Sequence, residues 1–139
     1  MKTEFYNTIA DTVKSYYSDV LAIYLFGSYG TQYERIDSDV DLAVLLPHTS
    51  AGKARNMAVS ECRMVLEQYL GKEVDLVNLR LAPVVLQKEI VMQAVRIATA
   101  DEFVVEMFET GVLSGYQKFS AERADIMAQG LKTGRFYQP

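Results

Sequence analysis

The segment YLFGSYGTQYERIDSDVDLAVLL, Tyr24 to Leu46, constrains this chain more than any other. Two apolar runs, AIYLF (Ala22 to Phe26) and SDVDLAVLL (Ser38 to Leu46), read as strands. The first is closed by Gly27 and the second is stopped by Pro47. At the entry to the second run, Asp37, Asp39 and Asp41 fall on alternate residues. On a strand, side chains two apart share a face, so Asp39 and Asp41 aim together while Val40, Leu42 and Val44 alternate around them. Like charges this close repel, and half-buried carboxylates are costly unless something positive meets them. Either the cluster is a solvated turn or the chain holds a cation there.

The rest of the chain alternates helices and strands. Thr3 is placed to cap a first helix carrying Phe5, Ile9, Val13, Tyr16/Tyr17 and Val20. Gly27 to Asp37 reads as a loop. Thr49 or Ser50 caps a helix that puts Ala54, Ala58, Cys62, Val65/Leu66 and Tyr69/Leu70 on one face, with Gly71 just past its end. EVDLVNL (Glu73 to Leu79) is a third strand. Pro83 opens a helix with Leu86, Ile90 and Val91 inward, and AVRIATA is a candidate fourth strand. From Asp101 a long helix runs to about Gly130 despite Gly111 and Gly115, followed by a loose tail, KTGRFYQP. The pattern predicts an α/β (α+β) domain with one sheet covered by helices.

The length, 139 residues, suits a single domain spanning 1–139, with a C-terminal helix and tail from about 101. No apolar run approaches ~18 residues, so a membrane span is not expected. The amphipathic start, MKTEFYNTIADTV, does not resemble a secretory signal. One cysteine, Cys62, excludes an internal disulfide and fits a reducing, cytoplasmic setting. A net charge of -4 without a basic block argues against a dedicated nucleic-acid surface. It leaves open a nucleotide whose charge is carried by metal.

Adjacent carboxylates suit a hard divalent ion, and Mg²⁺ is typically held by one or two of them plus substrate phosphates. Asp75 joins Asp39 and Asp41 if the third strand lies beside the second. Three converging carboxylates are what two ions ~3.5–4 Å apart need. Gly27-Ser28, directly after the first strand, lets a phosphate approach the backbone and offers it a hydroxyl and N–H groups. A calcium loop starting at Asp37 fails, because Leu42 stands where glycine is required and His48 where glutamate is required. Neither a Gly-Lys-Ser/Thr phosphate loop nor a Gly-x-Gly-x-x-Gly fingerprint is present. The plain alternative is a strand whose start is capped by aspartates in a turn.

Gly27-Ser28, ten intervening residues, then Asp39-Val40-Asp41 resembles the GS-x10-DxD signature of the DNA polymerase β-type nucleotidyltransferases, with Asp75 where that superfamily carries its third carboxylate. The short chain looks like a minimal nucleotidyltransferase, a subfamily whose members often serve as antitoxin in HEPN–MNT toxin–antitoxin pairs. The resemblance implies a small mixed sheet flanked by helices, and Mg²⁺, as two ions, bound by Asp39, Asp41 and Asp75. It implies ATP as substrate, with its β- and γ-phosphates on Gly27 and Ser28. It also implies AMP transfer to a tyrosine hydroxyl of a HEPN ribonuclease partner in a hetero-oligomer, with Asp75 helping to deprotonate the acceptor. Two other readings compete: a non-catalytic binder that neutralises a toxin by contact, and a nucleotidyltransferase for a small molecule.

Other residues have simpler readings. His48 is a lone loop histidine and Cys62 a packing residue on an apolar stripe. Asp37 suits the strand-entry turn, and Arg35 and Lys53 suit solvated surface. Tyr29 and Tyr33 suit packing rather than base stacking. Phe103, Met107, Phe108 and Val112 put apolar groups on more than one face of the last helix, as core or as a partner surface.

Overall fold

An uninterrupted apolar strand needs cover on both faces. That is what the computed structural model, which describes residues 2–27 and 39–133, provides. Strand β1 (Ala22–Phe26) lies at the centre between β2 (Val40–Leu45) and β4 (Val95–Thr99), both antiparallel to it. Strand β3 (Val74–Asn78) runs parallel to β2 at the edge, giving the order β3-β2-β1-β4. The sheet is therefore mixed, as the family resemblance implies.

Alternation divides the strands between two cores. Ile23, Leu25, Val40, Leu42, Val44, Val74 and Leu76 meet Ile9 and Val13 of α1 (Lys2–Tyr16) and Cys62 and Leu66 of α3 (Glu61–Leu70). On the opposite face Ala22, Tyr24, Ala43 and Leu45 meet Ile90 of α4 (Val84–Gln93) and Val105 of α5 (Glu102–Thr133). Each such fully buried aliphatic side chain stabilises the fold by about 1.5–3 kcal/mol relative to exposure. Asp39, Asp41 and Asp75 alternate with the first set, which directs them to the α4/α5 face.

Several local expectations are corrected. Helix α1 begins at Lys2, so Thr3 lies within it rather than capping it, and it ends at Tyr16, before Val20. The single helix expected after Pro47 is two, α2 (His48–Lys53) and α3, separated by a 3-10 turn at Met57–Val59. Ser60 caps α3 by accepting from the Arg63 N–H, so a new helix starts where one continuous stripe was expected. Met57 is buried in place of Ala58, and Tyr69 is exposed. Gly71 closes α3 in the left-handed conformation, as expected. Helix α5 passes Gly111 and Gly115 unbroken and includes Lys132 and Thr133 of the expected tail. Among the described residues, no helix is long and apolar enough to cross a membrane.

Candidate functional site

The site forms where β1 ends and β2 and β3 begin. Phe26 stands opposite Asp41 across the antiparallel pair, and Asp41 stands opposite Asp75 across the parallel one. Gly27 leaves β1 with φ +80°, a left-handed conformation that favours glycine. A Cβ on Gly27 would fall 2.0 Å from Asp41 Oδ2 and 3.0 Å from its Cγ. The glycine therefore does two things: it turns the chain, and it clears the space the Asp41 carboxylate occupies.

Asp41 is partly buried, whereas Asp39 and Asp75 are exposed. Burial, a hydrogen bond with Asp75, and the charges of Asp75 and Asp39 together push the Asp41 carboxyl up to about 6. Asp41 and Asp75 are thus paired across the two strands, and the Asp39 charge acts on Asp41. Among the described residues, no three Asp, Glu, His or Cys side chains are gathered tightly enough to hold an ion unaided. This donor set still suits Mg²⁺, which keeps several waters and shares its ligands with substrate phosphates rather than needing a closed protein cage. The all-oxygen chemistry and the negative charges of Asp75 and Asp39 beside Asp41 favour a cation at this position.

Ser28 lies outside the described residues, as do Tyr29, Tyr33, Arg35 and Asp37. His48 is exposed, 3.3 Å from an Arg80 guanidinium nitrogen, and lies past the far end of β2 from the carboxylates. Lys53 is exposed on α2, also beyond that end. Cys62 is fully buried, and burial pushes its thiol up to about 11. Phe103 and Met107 are exposed, while Val112 is buried and Phe108 packs partly against the core.

Sequence reasoning passed over two polar constructions. The Tyr24 hydroxyl donates to Glu109 at 2.6 Å, and Arg96 reaches both Glu109, at 3.2 Å, and Glu102. Arg63 and Glu67 of α3 meet the backbone of Val74, next to Asp75. The i,i+4 spacing of Arg63 and Glu67 was a legible signal of a pair, but their backbone target was not.

Comparison with known proteins identifies the family. The family described as "Polymerase beta, Nucleotidyltransferase" matches residues 7–103. The protein adenylyltransferase MntA of Shewanella oneidensis is 37% identical over 107 residues, covering 76% of this chain and 72% of that protein. A crystal structure of a toxin–antitoxin with AMP-PNP contains a chain with 28% identity and a TM-score of 0.71, over 91% of this chain and 98% of that one. A structure of a tri-AMPylated Shewanella oneidensis HEPN toxin in complex with MNT antitoxin matches at 28% identity and TM-score 0.69, over 94% and 99%.

Proposed function

Since the chain belongs to the polymerase beta nucleotidyltransferase family, we propose that it transfers AMP from ATP to a hydroxyl of a HEPN-type toxin and thereby acts as that toxin's antitoxin. The observation that carries this reading is the Asp41–Asp75 pair across β2 and β3, with the Gly27 backbone against it. The named activity of the adenylyltransferase relative and the AMPylated toxin bound to a structural relative support the acceptor class. A tyrosine is the acceptor we favour.

In the reaction, the acceptor oxygen forms a bond to the α-phosphorus of ATP, the bond from that phosphorus to the bridging oxygen breaks, and pyrophosphate leaves. Mg²⁺ held by Asp39, Asp41 and Asp75, as two ions, would supply neutralisation of the phosphate charge and acidify the attacking hydroxyl. Asp75, exposed on the edge strand, would accept the hydroxyl proton. Gly27 gives the phosphates access to the backbone, and Ser28 offers them a hydroxyl. Little covalent work falls to the protein, so positioning carries most of the catalysis. A cytoplasmic location fits the buried, unpaired Cys62.

Co-expression with the cognate HEPN protein tests the proposal. Intact-mass spectrometry of the purified toxin should show added AMP with the wild-type chain and none with Asp41→Asn. An unmodified toxin, still neutralised and bound, would favour neutralisation by contact.

A further inference from the structure

Strand β3 is an edge strand, paired with β2 on one side. In a parallel pair, successive residues turn their backbone groups alternately toward the neighbour and away from it. The Val40 N–H donates to the Glu73 carbonyl at 2.9 Å, so the N–H and C=O of Val74 face outward. Val74 is fully buried, and its outward groups need partners. Both partners come from α3. The Val74 N–H donates to Glu67 Oε2 at 2.9 Å, and Arg63 Nε donates to the Val74 carbonyl at 2.8 Å. Arg63 and Glu67 are themselves joined at 3.2 Å. One helical ion pair thus presents a donor and an acceptor where the next strand would stand.

An exposed ion pair of this spacing contributes little by itself. Here both members end on the backbone of the residue preceding Asp75, and their helix is anchored by buried Cys62 and Leu66. The exposed Asp75 side chain has little packing to orient it, so its direction follows the strand backbone. We propose that Arg63 and Glu67 are positioning residues: by fixing the Val74 backbone they aim the Asp75 carboxylate at Asp41 and tighten the site's hold on a divalent cation with nucleotide. The inference rests on the nucleotidyl-transfer reading of that site. A bracket that only protected the sheet edge would affect thermal stability and leave cation binding by the folded protein unchanged.

The test compares wild type with Arg63→Ala, Glu67→Ala and Glu67→Gln, whose amide oxygen can still accept from Val74. Each is held well below its own unfolding midpoint. Mn²⁺ binding is read by electron paramagnetic resonance with AMP-PNP present, and exchange of the Val74 amide hydrogen by NMR. Both alanine variants should bind Mn²⁺ about 10-fold more weakly, the usual penalty for losing support behind a metal-ligand residue. Glu67→Ala should also exchange the Val74 amide faster, and Glu67→Gln should recover most of both properties. Folded alanine variants that bind Mn²⁺ as wild type does would overturn the positioning role and leave the transfer reading standing. A wild-type chain that binds no Mn²⁺ with AMP-PNP would overturn both.

Discussion

Gly27 and Asp41 share one small volume: a methyl group on the glycine would stand 2.0 Å from the carboxylate oxygen. Glycine is therefore required twice at this position, for its φ of +80° and for the space beside Asp41. Gly27→Ala should lower stability by about 1–2 kcal/mol through the left-handed backbone. It should also displace Asp41, and a displacement near 1 Å can cost about 10²-fold in rate. Urea unfolding and single-turnover AMP transfer would measure the two effects separately.

Asp41→Asn should abolish transfer while making the metal-free chain more stable. The reason is the raised Asp41 carboxyl, at about 6 against an ordinary 3.8, caused first by burial and then by Asp75 and Asp39. Between those two values the folded chain binds more protons than the unfolded chain, so stability falls as pH rises through that window. With a chelator present, the wild-type melting temperature should drop from pH 4 toward pH 7 more than that of Asp41→Asn. Mg²⁺ and ATP should offset the drop in wild type alone. Thermal melts across pH, with and without the ligands, would show it.

Tyr24 is buried to 1% exposure on β1, and its hydroxyl ends on Glu109 of α5. Burial and the Glu109 carboxylate raise its pKa, so it remains a donor at any working pH. Tyr24→Phe keeps the ring and removes that bond to a charged acceptor, a loss of about 1.5–3 kcal/mol. Glu109 keeps Arg96 as a partner, which places the expected cost at the lower end. The urea midpoint should fall, and Mn²⁺ affinity should not change, since the hydroxyl joins Glu109 and Arg96 on the β4 side of β1 whereas the carboxylates stand on the β2 and β3 side.

Cys62 offers a simple check of the core. It is fully buried and its thiol is raised to about 11 by burial alone. A disulfide reagent such as DTNB should leave it unreacted in the native protein and modify it at the rate of unfolding in denaturant.

The carboxylate site was legible because its parts lie in short, regular segments. Gly27 ends one apolar run, Asp39 and Asp41 open another at period two, and Asp75 interrupts a third. Period two also placed both aspartates of the second run on one face. What joins them is tertiary. No local pattern reveals that β3 lies parallel to β2 with Asp75 opposite Asp41; the residues allowed it if the two strands were neighbours, and the resemblance to a known signature pointed there. The break between α2 and α3 was hidden because Ala54, Ala58 and Cys62 keep helical spacing across a turn that buries Met57 instead. Tyr24 read as one more apolar strand residue, since its partner Glu109 is 85 positions away. The i,i+4 spacing of Arg63 and Glu67 was there to be read and was passed over, and their backbone acceptors and donors leave no mark in a sequence.

The most direct measurement incubates ATP labelled at the α-phosphate, Mg²⁺, the purified chain and its cognate HEPN protein. The Asp39→Asn/Asp41→Asn double variant serves as the control. The expected result is label on a tyrosine of the HEPN protein with wild type and none with the variant. Toxin that stays unlabelled while still bound and inhibited, or label that persists with the double variant, would contradict a transfer centre built on these carboxylates.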